Sequence, residues 1–301
     1  MVKLAHISDP HLTLPKAKVS QLLGKRILGF QSWHLNRKNI HDPAILADLI
    51  GDLQKHEPDH IAVTGDLTNI ALPTEFAAAG KWLENLGPPD QVAVIPGNHD
   101  AYVKLPWDIG PGVWQKNMQG EYTVPEAELD NGFPYVRVRK NLALIALSSA
   151  VPSIWFAAGG RVGKRQLDSL KRLLPRLKQQ GFFRTVIVHH PPLPGQAQPR
   201  KALWNAAELR DILVAEGAEL VLHGHNHRHM HEELKTSHGT AQVFGVPSAS
   251  ARQTRHKPAA AWNLYDVRRE DGEWRCQVKV RGLNGDTRQF AELRHFAVKF
   301  D

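Results

Sequence analysis

Short apolar runs of strand length alternate with amphipathic segments over the first two-thirds of the chain. No other feature restricts the fold as much. Residues 4–8, 60–63, 91–95, 135–139, 142–147, 185–188 and 220–222 read as strands. Asp42 and Pro43 suit an N-cap and a first helical position, and Ile45, Leu46, Leu49, Ile50 and Leu53 follow with a 3.6-residue period. Residues 74–86, 164–179 and 205–216 read as further helices. After Gly224 the helices stop, and 232–235, 240–246, 260–267 and 273–280 read as strands. This order predicts a layered α/β architecture whose second sheet is mainly antiparallel. Neither an internal repeat nor a low-complexity linker divides the 301 residues, so a single domain over 1–301 is expected.

The 42% hydrophobic and 23% charged residues suit a folded globular chain. No apolar run approaches the roughly 18 residues of a spanning helix. Met1-Val2-Lys3 leads straight into the first apolar run, without the hydrophobic region of an export signal. Cys276 is the only cysteine, which excludes an internal disulfide framework and a multi-thiolate zinc site. The expected location is cytoplasmic, at most peripheral on the inner membrane face. A net charge of +8 favours anionic partners. Five of the 17 histidines fall between His223 and His231.

Five short motifs sit where apolar runs end: Asp9-Pro10-His11, Gly65-Asp66, Gly97-Asn98-His99-Asp100, His189-His190 and Gly224-His225-Asn226-His227. Aspartate, asparagine and histidine supply oxygen and neutral nitrogen donors, which suit Mn, Fe, Zn or Co without selecting among them. Asp9 and His11, like His225 and His227, are two residues apart. On a strand-like segment each pair points one way. Glycine before Asp66, Asn98 and His225 allows a sharp turn and close approach to a ligand. Any one motif alone could be a turn or an idle surface histidine. The ordered set carries the signal. Seven candidate ligands (Asp9, His11, Asp66, Asn98, His189, His225 and His227) exceed one site's needs and suggest two cations sharing a carboxylate, the usual device for phosphoryl transfer.

The ordered set D-x-H, G-D, G-N-H-D, H and G-H-x-H resembles the calcineurin-like metallophosphoesterase superfamily, in particular the subgroup of class III cyclic-nucleotide phosphodiesterases and phospholipase-C-like bacterial enzymes. The resemblance spans Asp9 to His227. It implies a four-layer αββα sandwich, two mixed sheets flanked by helices, and a phosphodiesterase using a metal-activated hydroxide. Asp9, His11 and His227 would hold the first metal, Asn98, His189 and His225 the second, with Asp66 bridging. His99 would act near the leaving group, as acid or transition-state stabiliser, oriented by Asp100. Two divalent cations are implied, manganese foremost and iron, zinc or cobalt otherwise. His190 would support the site from behind, and His6 and His223 would be packed.

Three stretches interrupt the alternation, 12–40, 101–134 and 148–163, each after a strand end, where rims and caps are built. Between Thr13 and His41 there is no acidic residue, while Lys16, Lys18, Lys25, Arg26, Arg37 and Lys38 fall there. Val19, Leu22, Leu23, Ile27, Phe30 and Trp33 recur at near-helical spacing, and Ser20 can cap, although Gly24 and Gly29 count against a continuous helix. The segment reads as a basic amphipathic helix for an anionic bilayer surface, or equally as a cap packed on the body. Trp107, Val113 and Trp114, and Ile154, Trp155 and Phe156, are expected as exposed apolar material on the same rim. Such a rim favours a phospholipid or other amphiphilic phosphodiester, with a cyclic nucleotide as the alternative. Nucleic acid is disfavoured, because no repeated basic–aromatic platform is present. A non-catalytic scaffold is disfavoured by His99 and Asp100.

Overall fold

The central strands are apolar on both faces because both faces are covered. In β5 (Leu142–Ala146), Leu142, Leu144 and Ala146 share a core with the first sheet, while Ala143 and Ile145 pack with leucines of the flanking helices. Such two-sided burial gives continuous apolar runs rather than polar alternation. The computed structural model describes all residues except 18, 127–128, 153–156 and 285–288, with only the backbone described at Val19. Lys18, Ile154, Trp155 and Phe156 therefore lie outside the described residues.

In chain order the elements are β1 (Val2–Ile7), α1 (Lys25–Ser32), a π-helical turn (Trp33–Arg37), α2 (Lys38–Ile40), α3 (Pro43–Gln54), β2 (His60–Val63), α4 (Pro73–Leu86), β3 (Val92–Val94) and β4 (Tyr135–Arg139). After β5 come α5 (Lys164–Gln179), β6 (Phe183–Ile187), α6 (Ala206–Glu216), β7 (Leu220–His223), β8 (Met230–Thr236), β9 (Gly239–Gly245), β10 (Ala261–Glu270), β11 (Glu273–Leu283) and β12 (Phe290–Val298). One sheet has the order β12-β11-β10-β1-β2-β3 and the other β4-β5-β6-β7-β9-β8. Both are mixed. In the first, β1, β2 and β3 are parallel and β10, β11 and β12 antiparallel. In the second, β5, β6, β7 and β9 are parallel, with antiparallel edges. With α3 and α4 packed on the first sheet and α5 and α6 on the second, the four layers are those the resemblance implies.

The expectation of a second, mainly antiparallel sheet is corrected here. The late strands β10, β11 and β12 extend the first sheet through β1, while the second keeps a parallel centre. β12 has no counterpart in the sequence reading. It is an edge strand, and Glu292, Leu293, Arg294 and His295 face solvent, so no apolar run marks it.

The first insertion is not one helix. Gly24 takes φ +63°, and α1 begins only after it. Gly29 lies so close to Ile70 and Tyr102 that a Cβ would fall 2.6 Å from Ile70 Cγ2. Leu22, Phe30 and Trp33 pack on Leu14, Ile70 and Leu72, as a cap would. Leu23 (70% exposed), Ile27 (45%) and Leu35 (70%) stay outside that contact. In the second insertion Trp107 and Val113 are exposed. Trp114 is not: its Nε1–H donates to the Phe76 carbonyl at 3.0 Å, and its ring is buried in the core.

Candidate metal centre

Asp9, Asp66, Asn98, His189 and His225 follow the carboxyl ends of β1, β2, β3, β6 and β7, the edge where α/β sheets bind ligands. The two-residue spacing of the paired ligands does not act through strand pleat. Asp9 and His11 lie beyond the end of β1, and His225 and His227 beyond the end of β7, so strand alternation does not aim them. Left-handed backbone does. Asp9 (φ 52°), His11 (39°), Asp66 (57°), His225 (67°) and His227 (51°) all have positive φ. L-residues rarely adopt this conformation, and such strain concentrates at functional sites. The glycines behave as expected. A Cβ on Gly97 would collide with Asp66 Oδ1, and one on Gly224 with Ser8 Oγ.

The seven side chains converge. Asp9 Oδ1 lies 3.0 Å from His227 Nε2 and 3.9 Å from His11 Nε2. Asn98 Oδ1 lies 2.8 Å from His225 Nδ1 and 3.2 Å from His189 Nε2. Between the clusters, Asp66 Oδ2 is 3.8 Å from His11 Nε2 and 3.5 Å from His189 Nε2. Asp9, Asp66 and His189 offer ligand atoms within 4.8 Å of one another.

The electrostatics fit divalent cations. Burial opposes ionisation of Asp9, yet the adjacent His227, His189 and His11 hold it well below the usual carboxylate range. Asp66 is likewise lowered against its burial, by His189 and His99. Among the described residues neither carboxylate is paired with a lysine or arginine. Burial alone would lower His189, but Asp66 outweighs it and lifts the ring to about 9, a sign that the pocket demands positive charge. Burial, then neighbouring histidines, keep His11 and His225 far below the usual range, so both are neutral and able to ligate. His225 Nε2 is buried without a hydrogen-bond partner among the described residues. Two ionised carboxylates beside the neutral imidazoles of His11 and His225 form a donor set for borderline divalent metals.

His99 Nδ1 lies 2.7 Å from the Asn69 carbonyl oxygen and 3.0 Å from Arg37 Nη1. A carbonyl only accepts and a guanidinium only donates, so Nδ1 serves one at a time. With its proton on Nδ1 the ring donates to Asn69, and the Arg37 hydrogen has no acceptor there. Burial, then Arg37, lower His99 to about 4, against the pull of Asp66. The expectation that Asp100 orients His99 is corrected. The Asp100 carboxylate accepts the backbone N–H groups of Asp66, Thr68 and Gly97 and the Thr68 hydroxyl, and the ring is set by Asn69 instead. His190 stands behind the centre, with Nδ1 2.7 Å from Ser149 Oγ and Nε2 3.1 Å from the Ala158 carbonyl oxygen. His6 and His223 are fully buried and packed. Arg37 and His41, the latter with its ring centroid 4.5 Å from that of His11, have no counterpart among the motifs. Only the histidine-rich, acid-free composition pointed their way.

A family model described as calcineurin-like phosphoesterase matches residues 2–229. The chain belongs to that family. It is thus a metal-dependent phosphoester hydrolase. Two curated relatives carry the name probable cyclic nucleotide phosphodiesterase. The one from Synechococcus sp. is 25% identical over 77% of this chain and 80% of its own length. The one from Pseudoalteromonas sp. is 22% identical over 88% and 84%. Among solved structures, a dimetal phosphatase from Danio rerio superposes over 100% of this chain and 99% of its own with a TM-score of 0.62 at 13% identity. A purple acid phosphatase from yellow lupin covers 100% of this chain and 54% of its own with a TM-score of 0.59 at 11% identity. At these identities the two structures speak for the fold alone. No helix among the described residues is long and apolar enough to cross a membrane.

Proposed function

We propose that the chain hydrolyses phosphodiesters at a dinuclear centre in which Asp9, His11 and His227 hold one cation, Asn98, His189 and His225 hold the other, and Asp66 serves both. The position of the Asp66 carboxylate, between His11 at 3.8 Å and His189 at 3.5 Å, carries this reading. When bound, two divalent cations would neutralise the phosphoryl oxygens and lower the pKa of a water. Manganese is the first expectation, with iron, zinc and cobalt accommodated by the same donors. Elemental analysis of purified protein tests it. Two equivalents per chain are expected, falling to one or none in Asp66→Ala; a fully loaded protein with one equivalent overturns the dinuclear reading.

Asn69 engages His99 through Nδ1, which leaves Nε2 for chemistry at the leaving group. Its ring is neutral before substrate arrives, and the negative charge of a phosphoester favours its protonation. That charge dependence supports a proton-donor role realised only in the complex.

Two substrate classes fit. The exposed Leu23, Ile27 and Leu35 on a basic segment support a phospholipid or another amphiphile, with peripheral contact to an anionic membrane. The relatives' names support a 2′,3′- or 3′,5′-cyclic nucleotide as the alternative. Turnover of vesicular phospholipid against both cyclic nucleotides separates them.

A further inference from the structure

Four segments that follow strands in the sequence contain no aspartate or glutamate, and each contributes residues near the centre: 13–41, 188–205, 224–231 and 246–260. They hold twelve of the 38 Lys and Arg and none of the 30 Asp and Glu. The net charge of +8 therefore resides in these segments, and the rest of the chain has a small acid excess.

Each segment brings a cation toward the centre. Arg37 reaches His99 from the first insertion, at 3.0 Å. Arg228 follows His227 directly, and its Nη2 donates to the His256 carbonyl at 3.1 Å, which sets Lys257 beside it. The loop carrying Lys257 is pinned over the centre: Ser248 Oγ donates to the Asp9 carbonyl at 2.6 Å, and Arg252 N–H to the Ile40 carbonyl at 2.8 Å. Lys201 closes a short turn, Pro199–Lys201, held by the Ala158 N–H on the Arg200 carbonyl at 2.9 Å. Burial lowers the Lys257 ammonium; Asp9 opposes that, and Lys201, Arg228 and Arg37 lower it further, so Lys257 feels the other three charges. Among the described residues none of the four pairs with a carboxylate, whereas neighbouring Arg252 pairs with Asp42. Unpaired like charges held together repel. A scissile phosphate between two divalent cations already has its charge met, so the surplus suits a different anion.

We propose that Arg37, Lys201, Arg228 and Lys257 form an anion subsite at the mouth of the metal centre that holds a second, non-scissile phosphate of the substrate. The inference rests on the phosphodiester reading. It narrows the substrate class to phosphodiesters that also carry a phosphate monoester, whether on a nucleoside or on a lipid headgroup.

The test uses metal-loaded enzyme and two matched pairs. One is thymidine 5′-(p-nitrophenyl phosphate) with and without a 3′-phosphate. The other is vesicular phosphatidylinositol with and without a 4-phosphate. The second phosphate should lower KM by roughly tenfold or more in the pair matching the natural source. Lys201→Ala/Lys257→Ala should erase that ratio, and its retention in the double variant overturns the subsite. So does a ratio that vanishes at about 0.5 M salt, since that marks diffuse steering. Binding of inorganic phosphate to metal-free protein, followed by 31P line width, gives a readout without turnover. It should weaken roughly tenfold in the double variant. If wild-type enzyme cleaves no ester but phosphate binding depends on the two lysines, the phosphodiester reading fails and the anion site stands. Equal phosphate binding in both proteins sinks the site.

Discussion

The Asp100 carboxylate accepts the backbone N–H of Asp66 at 2.9 Å, and the same oxygen accepts that of Gly97 at 2.9 Å. Its other oxygen accepts the N–H of Thr68 at 2.8 Å. One buried side chain thus ties the turn after β2 to the turn after β3, and so sets Asp66 and Asn98 relative to each other. Asp100→Ala should strand these amides at about 1–3 kcal/mol each. We expect an unfolding free energy lower by roughly 3–5 kcal/mol in denaturant titration, with loss of bound metal. Asp100→Asn keeps one accepting oxygen and should fall between the two. A stable Asp100→Ala protein with both metals in place would contradict this role.

His99→Ala should keep both metals by elemental analysis yet slow turnover by roughly 10²–10⁴-fold. Asn98→Ala, by contrast, should lose metal. The His99 deficit should shrink for aryl leaving groups, which need little protonation, and grow for alkyl ones. An equal deficit for both assigns His99 to charge stabilisation.

Burial, then the charge of His223, push His6 down to about 3, and burial with nearby Arg137 and Arg139 pushes His60 well below its usual value. The unfolded chain binds both protons as pH falls past about 6.5, and the folded chain does not. Stability is therefore full above that pH and is lost as pH falls toward 3, by up to about 1.4 kcal/mol per pH unit for each ring. His60 lies outside the metal centre, so His60→Leu should flatten the acid slope by about one such increment in metal-free protein. An unchanged slope removes His60 from the account.

Leu23→Ser/Ile27→Ser/Leu35→Ser changes only side chains that face solvent, and should leave thermal unfolding within a few degrees of wild type. If the first insertion meets a bilayer, the triple variant should lose most co-sedimentation with anionic vesicles and most activity on vesicular phospholipid, while keeping activity on a soluble aryl phosphodiester. Co-sedimentation should also weaken with salt, as each basic residue near the surface contributes about 1 kcal/mol. Wild-type protein that ignores such vesicles points to the cyclic-nucleotide reading.

The layered α/β architecture and the chemistry at its strand ends were legible in the residue order. Both are local: hydrophobic period fixes element type, and the D-x-H, G-D, G-N-H-D and G-H-x-H strings carry their donors with them. Tertiary structure decided what those donors do together. It puts Asp66 between two clusters, aims Asp9 and His227 through left-handed backbone, and turns the Asp100 carboxylate to backbone amides rather than to its neighbour His99. It also delivers Arg37 to a ring 62 residues away, and attaches β10 to β1 rather than to the second sheet. Pairings over such separations are set by packing of whole layers and by where loops close. No residue pattern within either partner records them.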